Sequence, residues 1–200
     1  MLKETGEYEE TVILFTTDHG LPFPMMKCNL YDDGIGVAFL LRYPGMPEKH
    51  CVSDALLSQV DVFPTLCDIL KLEKPVWLQG ESFYPVIKGE RDEVHEAVFA
   101  EINYHVAYEP ARCVRTKKHK YIARWENGYD KTPPTHMDDS FSKEVFHENG
   151  YFEKKLAKEE LPEGAICCTV DSYSTKTQVI LPECRKYLAD LRGVLQNHIK

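Results

Sequence analysis

Three consecutive residues, Asp18-His19-Gly20, offer the first chemistry in this chain. Asp18 supplies a hard anionic oxygen, His19 a nitrogen that accepts or donates, and Gly20 lets the backbone turn sharply away from both. Such a trio is half of a site for a metal ion, a phosphate or a sulfate. It equally fits a turn cap beside a surface imidazole. Nine positions on, Lys27 stands in a loop that Pro22 and Pro24 stiffen, so its side chain is held in place. A solvated lysine is the bland alternative. His105, next to Asn103 and Tyr104, fits either a contact to a ligand or an ordinary exposed ring.

These side chains need a rigid support. Val12 to Thr16 are β-branched or large and apolar with no polar alternation, so Val12–Thr16 is expected as a central strand, covered on both faces in a parallel sheet. Asp18 then falls at the carboxyl end, where open α/β sheets gather their ligands. Met1–Glu10 reads as the tail of a helix stopped near Gly6. Val37–Tyr43, halted by Pro44-Gly45, reads as a second buried strand. Ser53 precedes an apolar stripe through Leu56, Val60, Phe63, Leu66 and Leu70, which predicts a helix capped by Ser53. Pro64 must divide or kink it into an Ala55-leading and a Thr65-leading piece, with Asp61 as cap of the second.

Further on, Pro75–Arg91 is loop-like and Ala97–Ile102 is a third strand candidate. Ala111–Thr116 and His119–Trp125 alternate around Lys117-Lys118 and predict a hairpin, with the basic run Arg115–Lys120 at its tip. Tyr129–Tyr151 reads as a polar surface excursion. Leu188, Leu191, Leu195 and Ile199 predict a final amphipathic helix.

Two hundred residues, 43% hydrophobic and 28% charged, suffice for an ordinary globular core. A net charge of −8 and the lack of a long basic block argue against nucleic acid as a partner. No apolar run is long enough to span a bilayer and the N-terminus lacks a signal-peptide core, so no membrane partner is expected and the default location is cytoplasmic. Seven cysteines without a Cys-x-x-Cys pair do not form a disulfide framework.

Phe15-Thr16-Thr17-Asp18-His19-Gly20, followed by Pro22-Phe23-Pro24, Lys27, Asn29-Leu30-Tyr31 and Pro44-Gly45, resembles the second half of a sulfatase of the alkaline-phosphatase superfamily. The Pro-Phe-Pro and Asn-Leu-Tyr blocks are most similar to its heparan N-sulfatase (sulfamidase) branch. Val52-Ser53-Asp54 through Leu66 resembles the family's next helix, and Glu81 to Lys88 a following turn. Several blocks in one register are more specific than any single block. The resemblance implies an α/β fold: residues 1–93 as the C-terminal part of an alkaline-phosphatase-like sandwich, then a small antiparallel subdomain with a final helix over 94–200. Residues 162–186 depart from the family pattern between two matching flanks and are expected to be foreign to the fold.

The implied activity of the full-length enzyme is hydrolysis of sulfate esters or N-sulfate groups on a sugar or glycosaminoglycan. In the family a calcium ion is held by two early acids and a later Asp-Asn or Asp-His pair, which Asp18 and His19 match. His19 would alternatively bond a sulfate oxygen or the nucleophile. Lys27 matches a basic residue reaching over the sulfate, and His105 falls in a substrate-facing loop. The family nucleophile is a formylglycine made from a Cys/Ser-x-Pro-x-Arg motif, and no such motif occurs in this sequence. The early acids are missing too, so weak calcium binding or none is expected of this chain alone. Strands left as edges are expected to make it self-associate. Two alternatives remain: a catalytically inactive carbohydrate-binding or regulatory module, and a phosphodiesterase or phosphomutase of the same superfamily, from which Lys27 and the Pro-Phe-Pro loop point away.

Overall fold

The computed structural model describes residues 1–23, 26–46, 51–105, 108–124, 139–150 and 165–169. In chain order the elements are α1 (Leu2–Thr5), β1 (Ile13–Thr16), α2 (Asp32–Ile35), β2 (Phe39–Arg42), α3 (Val62–Leu70), α4 (Tyr84–Ile87), β3 (Val98–Tyr104), β4 (Tyr108–Arg115), β5 (His119–Arg124), α5 (Phe141–Glu148) and β6 (Ala165–Thr169). They form two compact units: Met1–Thr17 with Ala38–Val98, and Asp18–Val37 with Phe99–Lys200.

In the first unit α1 ends at Gly6, as its sequence suggests. The expectation for β1 is corrected. Among the described residues it is not a central strand of a parallel sheet but half of a two-stranded antiparallel ribbon, with Ile13 opposite Arg42 and Thr16 opposite Phe39. The directly opposed pair Phe15 and Leu40 is 55% and 66% exposed, so the face they share is uncovered. Apolar β-branched content fixes an extended backbone but does not say which strands flank it. The Arg42 guanidinium ties the ribbon to the preceding turn: it stacks 3.9 Å over the Tyr8 ring and donates to the Tyr8 and Thr11 carbonyls and to Glu9.

The Ala55-leading helix does not form. Ser53 Oγ accepts from the Ala55 amide at 3.2 Å in a local turn, and the cap is Ser58, which closes a capping box with Asp61 across the 3₁₀ turn Gln59–Asp61. Pro64 then lies in the first turn of α3, where a missing N–H costs nothing. Asp61 is fully buried and collects donors from three segments: the Ser58 amide at 2.7 Å, the Glu81 amide at 2.9 Å and the His95 ring at 2.8 Å. Thr65 continues the network, donating to the Asp61 carbonyl at 2.6 Å and accepting from the Phe83 amide at 3.0 Å. The stretch read as loop, Pro75–Arg91, contains the short helix α4 with Pro85 in its first turn.

The second unit holds a four-stranded sheet in the order β3-β4-β5-β6. The predicted hairpin is present, with Ala111 opposite Arg124 and Arg115 opposite Lys120. Strand alternation gathers Ala111, Cys113 and Ile122 with Leu30 into a buried cluster, joined by Tyr31, Ile35, Ala100 and Ile102. Strand β6 lies inside residues 162–186 and pairs antiparallel with β5, from His119 opposite Thr169 to Ala123 opposite Ala165. Within the stretch read as a surface excursion, α5 forms behind Ser140, whose hydroxyl accepts from the Lys143 amide at 3.2 Å. The expected final helix lies outside the described residues. Among those described, no helix is long and apolar enough to cross a membrane.

Candidate anion site

Asp18, His19 and Lys27 share one tightly wound loop of the second unit. Its two arms are joined backbone to backbone: the Gly20 amide donates to the Gly34 carbonyl at 2.9 Å and the Leu21 amide to the Asp33 carbonyl at 3.1 Å. The Lys27 amide in turn donates to the Leu21 carbonyl at 3.1 Å. No side chain fits at either close approach. A Cβ on Gly20 would stand 1.9 Å from the Asp33 carbonyl oxygen, and one on Gly34 would stand 2.1 Å from that of Met26. Cys28, directly after Lys27, is held at φ 62°, a conformation a non-glycine residue adopts only when its surroundings impose it.

At the loop's start the His19 amide donates to Asp18 Oδ1 at 3.1 Å. The His19 Nδ1 lies 2.7 Å from the Gly20 carbonyl, and because a carbonyl can only accept, the proton is assigned to Nδ1. Nε2, the lone-pair nitrogen of the neutral ring, stands 3.8 Å from Asp18 Oδ1. The side chain of Asp18 is 90% exposed and that of His19 36%. Lys27 is half-buried; His105 is exposed after β3.

The loop's far arm is anchored by charges that sequence reasoning missed. Asp32 Oδ1 accepts from Lys120 Nζ at 2.6 Å and from Arg115 Nε at 3.0 Å. Lys120, only 1% exposed, also donates to the Leu30 carbonyl at 2.7 Å. Burial pushes the Asp32 carboxyl up, but the hydrogen bonds and charges of Lys120 and Arg115 outweigh it and hold the group below its ordinary value of 3.8. Arg115 and Lys120 are therefore not a solvated hairpin tip; that role falls to Lys117 and Lys118, which are exposed. The sequence held one usable signal. Like charges placed directly opposite on paired strands repel, so a cation pair at the register Arg115 opposite Lys120 demands a shared anion.

Chemically, the loop presents a hydrated carboxylate, an imidazole of fixed tautomer and an ammonium on a pinned backbone. Among the described residues no three His, Cys, Asp or Glu side chains converge as a metal site. A calcium ion takes about six to eight oxygens. Asp18 and His19 offer one carboxylate and one ring nitrogen, so the donors of this loop do not fit that ion by themselves.

The arrangement of α/β elements matches solved sulfatases: a 2-O GAG sulfatase superposes with a TM-score of 0.63 at 24% identity, over 99% of this chain and 38% of that one. This places the chain in the alkaline-phosphatase-like fold class. An Ulvan-active sulfatase from Formosa agariphila is 34% identical over 131 residues, covering 64% of this chain and 22% of that protein. The human N-sulphoglucosamine sulphohydrolase is 30% identical over 134 residues, 60% of this chain and 26% of that protein. Residues 23–139 match the family model described as N-sulphoglucosamine sulphohydrolase, C-terminal, and the chain belongs to that sulfatase family. It spans about a quarter of the length of these two relatives. Lys27, Asp32, His105, Arg115 and Lys120 all lie inside the matched segment; Asp18 and His19 lie a few residues before its start.

Proposed function

We propose that this chain is the C-terminal part of a sulfatase that hydrolyses sulfate esters or N-sulfate groups of a sugar or glycosaminoglycan, and that the loop of Asp18, His19 and Lys27 forms one wall of its sulfate pocket. The observation that carries the reading is the family match running through Lys27 in a loop whose backbone is pinned at Gly20, Leu21 and Lys27. Attack on sulfur spreads negative charge over the sulfuryl oxygens, and a cation held in advance stabilises that charge without reorganising during the reaction. Lys27 supplies the ammonium. His19, oriented by its bond to the Gly20 carbonyl, offers its Nε2 lone pair to a donor such as the hydroxyl of the nucleophile, and His105 contacts the sugar. Asp18 belongs to the surroundings of a calcium ion whose other ligands lie outside this chain, as does the formylglycine nucleophile.

The test supplies the missing half. The chain is assayed against an aryl sulfate and glucosamine N-sulfate, alone and mixed with the upstream portion of a family sulfatase carrying a processed Cys/Ser-x-Pro-x-Arg motif. Activity in the mixture that disappears with Lys27→Ala is the expected result. A folded mixture that neither turns over nor binds a sulfated sugar overturns the reading. A second reading, a catalytically inactive carbohydrate-binding module, would bind the sugar in the mixture without turnover. The isolated chain is expected to associate through the uncovered β1–β2 ribbon, and sedimentation showing a monomer at every concentration contradicts this.

A further inference from the structure

Lys120 is buried at 1% exposure, and a lysine is rarely placed so unless its charge is used. Its ammonium holds two points of the loop's far arm, the Leu30 carbonyl and the Asp32 carboxylate. The next two residues carry the tie to the near arm: the Asp33 and Gly34 carbonyls receive the Leu21 and Gly20 amides. The Gly20 carbonyl in turn fixes the His19 ring. An unbroken series of contacts thus runs from the β4–β5 hairpin to the candidate site.

We propose that Lys120 is a positioning residue for the candidate site: its ammonium sets where the two arms of the loop meet, and through them the orientation of His19. The functional meaning of this role rests on the sulfate-pocket reading, but the mechanical claim does not. Arg115 reaches Asp32 and the Thr116 carbonyl, so among the described residues it is Lys120 that joins the Leu30 carbonyl to the Asp32 carboxylate. A methionine, uncharged and one atom shorter, would fill most of the space and leave Asp32 to Arg115.

The experiment compares Lys120→Met and Lys120→Arg in the full chain by site-resolved amide hydrogen exchange, with the exposed Lys118→Met as control. In Lys120→Met the Gly20 and Leu21 amides are expected to exchange at least about tenfold faster relative to the β4 and β5 amides than in the parent chain, equivalent to about 1.4 kcal/mol of local protection. His19 ring nitrogen resonances should lose the signature of a fixed Nδ1–H tautomer. Lys120→Arg keeps a cation beside Asp32 in a different shape, and should loosen the loop and the tautomer less than Lys120→Met does. A uniform rise across loop and hairpin, or no change in the loop, overturns the proposal. Should Lys120→Met fail to fold, Asp32→Asn removes the same charge contact and must give the same selective loosening. Failure of the sulfated-sugar assay leaves this readout untouched, so the two readings fall separately.

Discussion

Each unit fastens its loops to one aspartate, and the two aspartates are held by opposite kinds of partner. Asp61 in the first unit is enclosed by backbone amides from Ser58 and Glu81 and by the His95 ring. Asp32 in the second unit is held by two full cations, Lys120 and Arg115, and remains 24% exposed. Two of the donors around Asp61 are main-chain groups, which no substitution of Ser58 or Glu81 other than proline removes. The cage around Asp32 consists of side chains alone and can be taken apart by single changes. The first arrangement secures the entry to α3 against sequence drift, and the second keeps the candidate-site loop dependent on two specific residues.

Substitutions can break or sharpen that contrast. The largest effect is expected at the amide cage: Asp61→Ala leaves buried donors unsatisfied and should cost about 4 kcal/mol in urea unfolding, with β4–β5 exchange the control for the second unit. Thr65→Val, which deletes the hydroxyl between the Asp61 carbonyl and the Phe83 amide, should cost about 1.5 kcal/mol in the same experiment. The cation cage is expected to respond to acid. Because the folded Asp32 carboxyl is held below 3.8, its contribution is complete above that value and is lost as pH falls through the lower folded value. The stability difference between the parent chain and Asp32→Asn should therefore be constant at neutral pH and shrink below about pH 4. A difference that grows in acid would reverse the assignment of Asp32 to the two cations. The smallest effect is at Cys28: replacing it by glycine relieves the left-handed backbone, and unfolding should show a gain of no more than about 1 kcal/mol.

The contrast also explains which parts of the structure were legible in the sequence. The hairpin around Lys117-Lys118, the extended run at β1 and the stop at Gly6 depend on neighbours in sequence, and all three formed. The cap of α3 is local too, but Ser53 and Ser58 are both plausible caps, and only Asp61 three residues after Ser58 completes the reciprocal pair. Asp32 and Lys120 are 88 residues apart, and nothing local to either announces the other. The parallel central strand was misread for the same reason, since an apolar run carries no record of which strands lie beside it. For the candidate site, the sequence indicated residue types at Asp18, His19 and Lys27, but not the double amide clasp that joins Gly20 and Leu21 to Asp33 and Gly34.

That clasp limits how such a loop can change over time. With no room for even a methyl group at Gly20 or Gly34, the path of the chain between them cannot be redrawn by small steps without springing it open. New preferences for one anion over another must therefore be written in the side chains that the loop carries, such as the exposed Phe23, on a frame that stays the same.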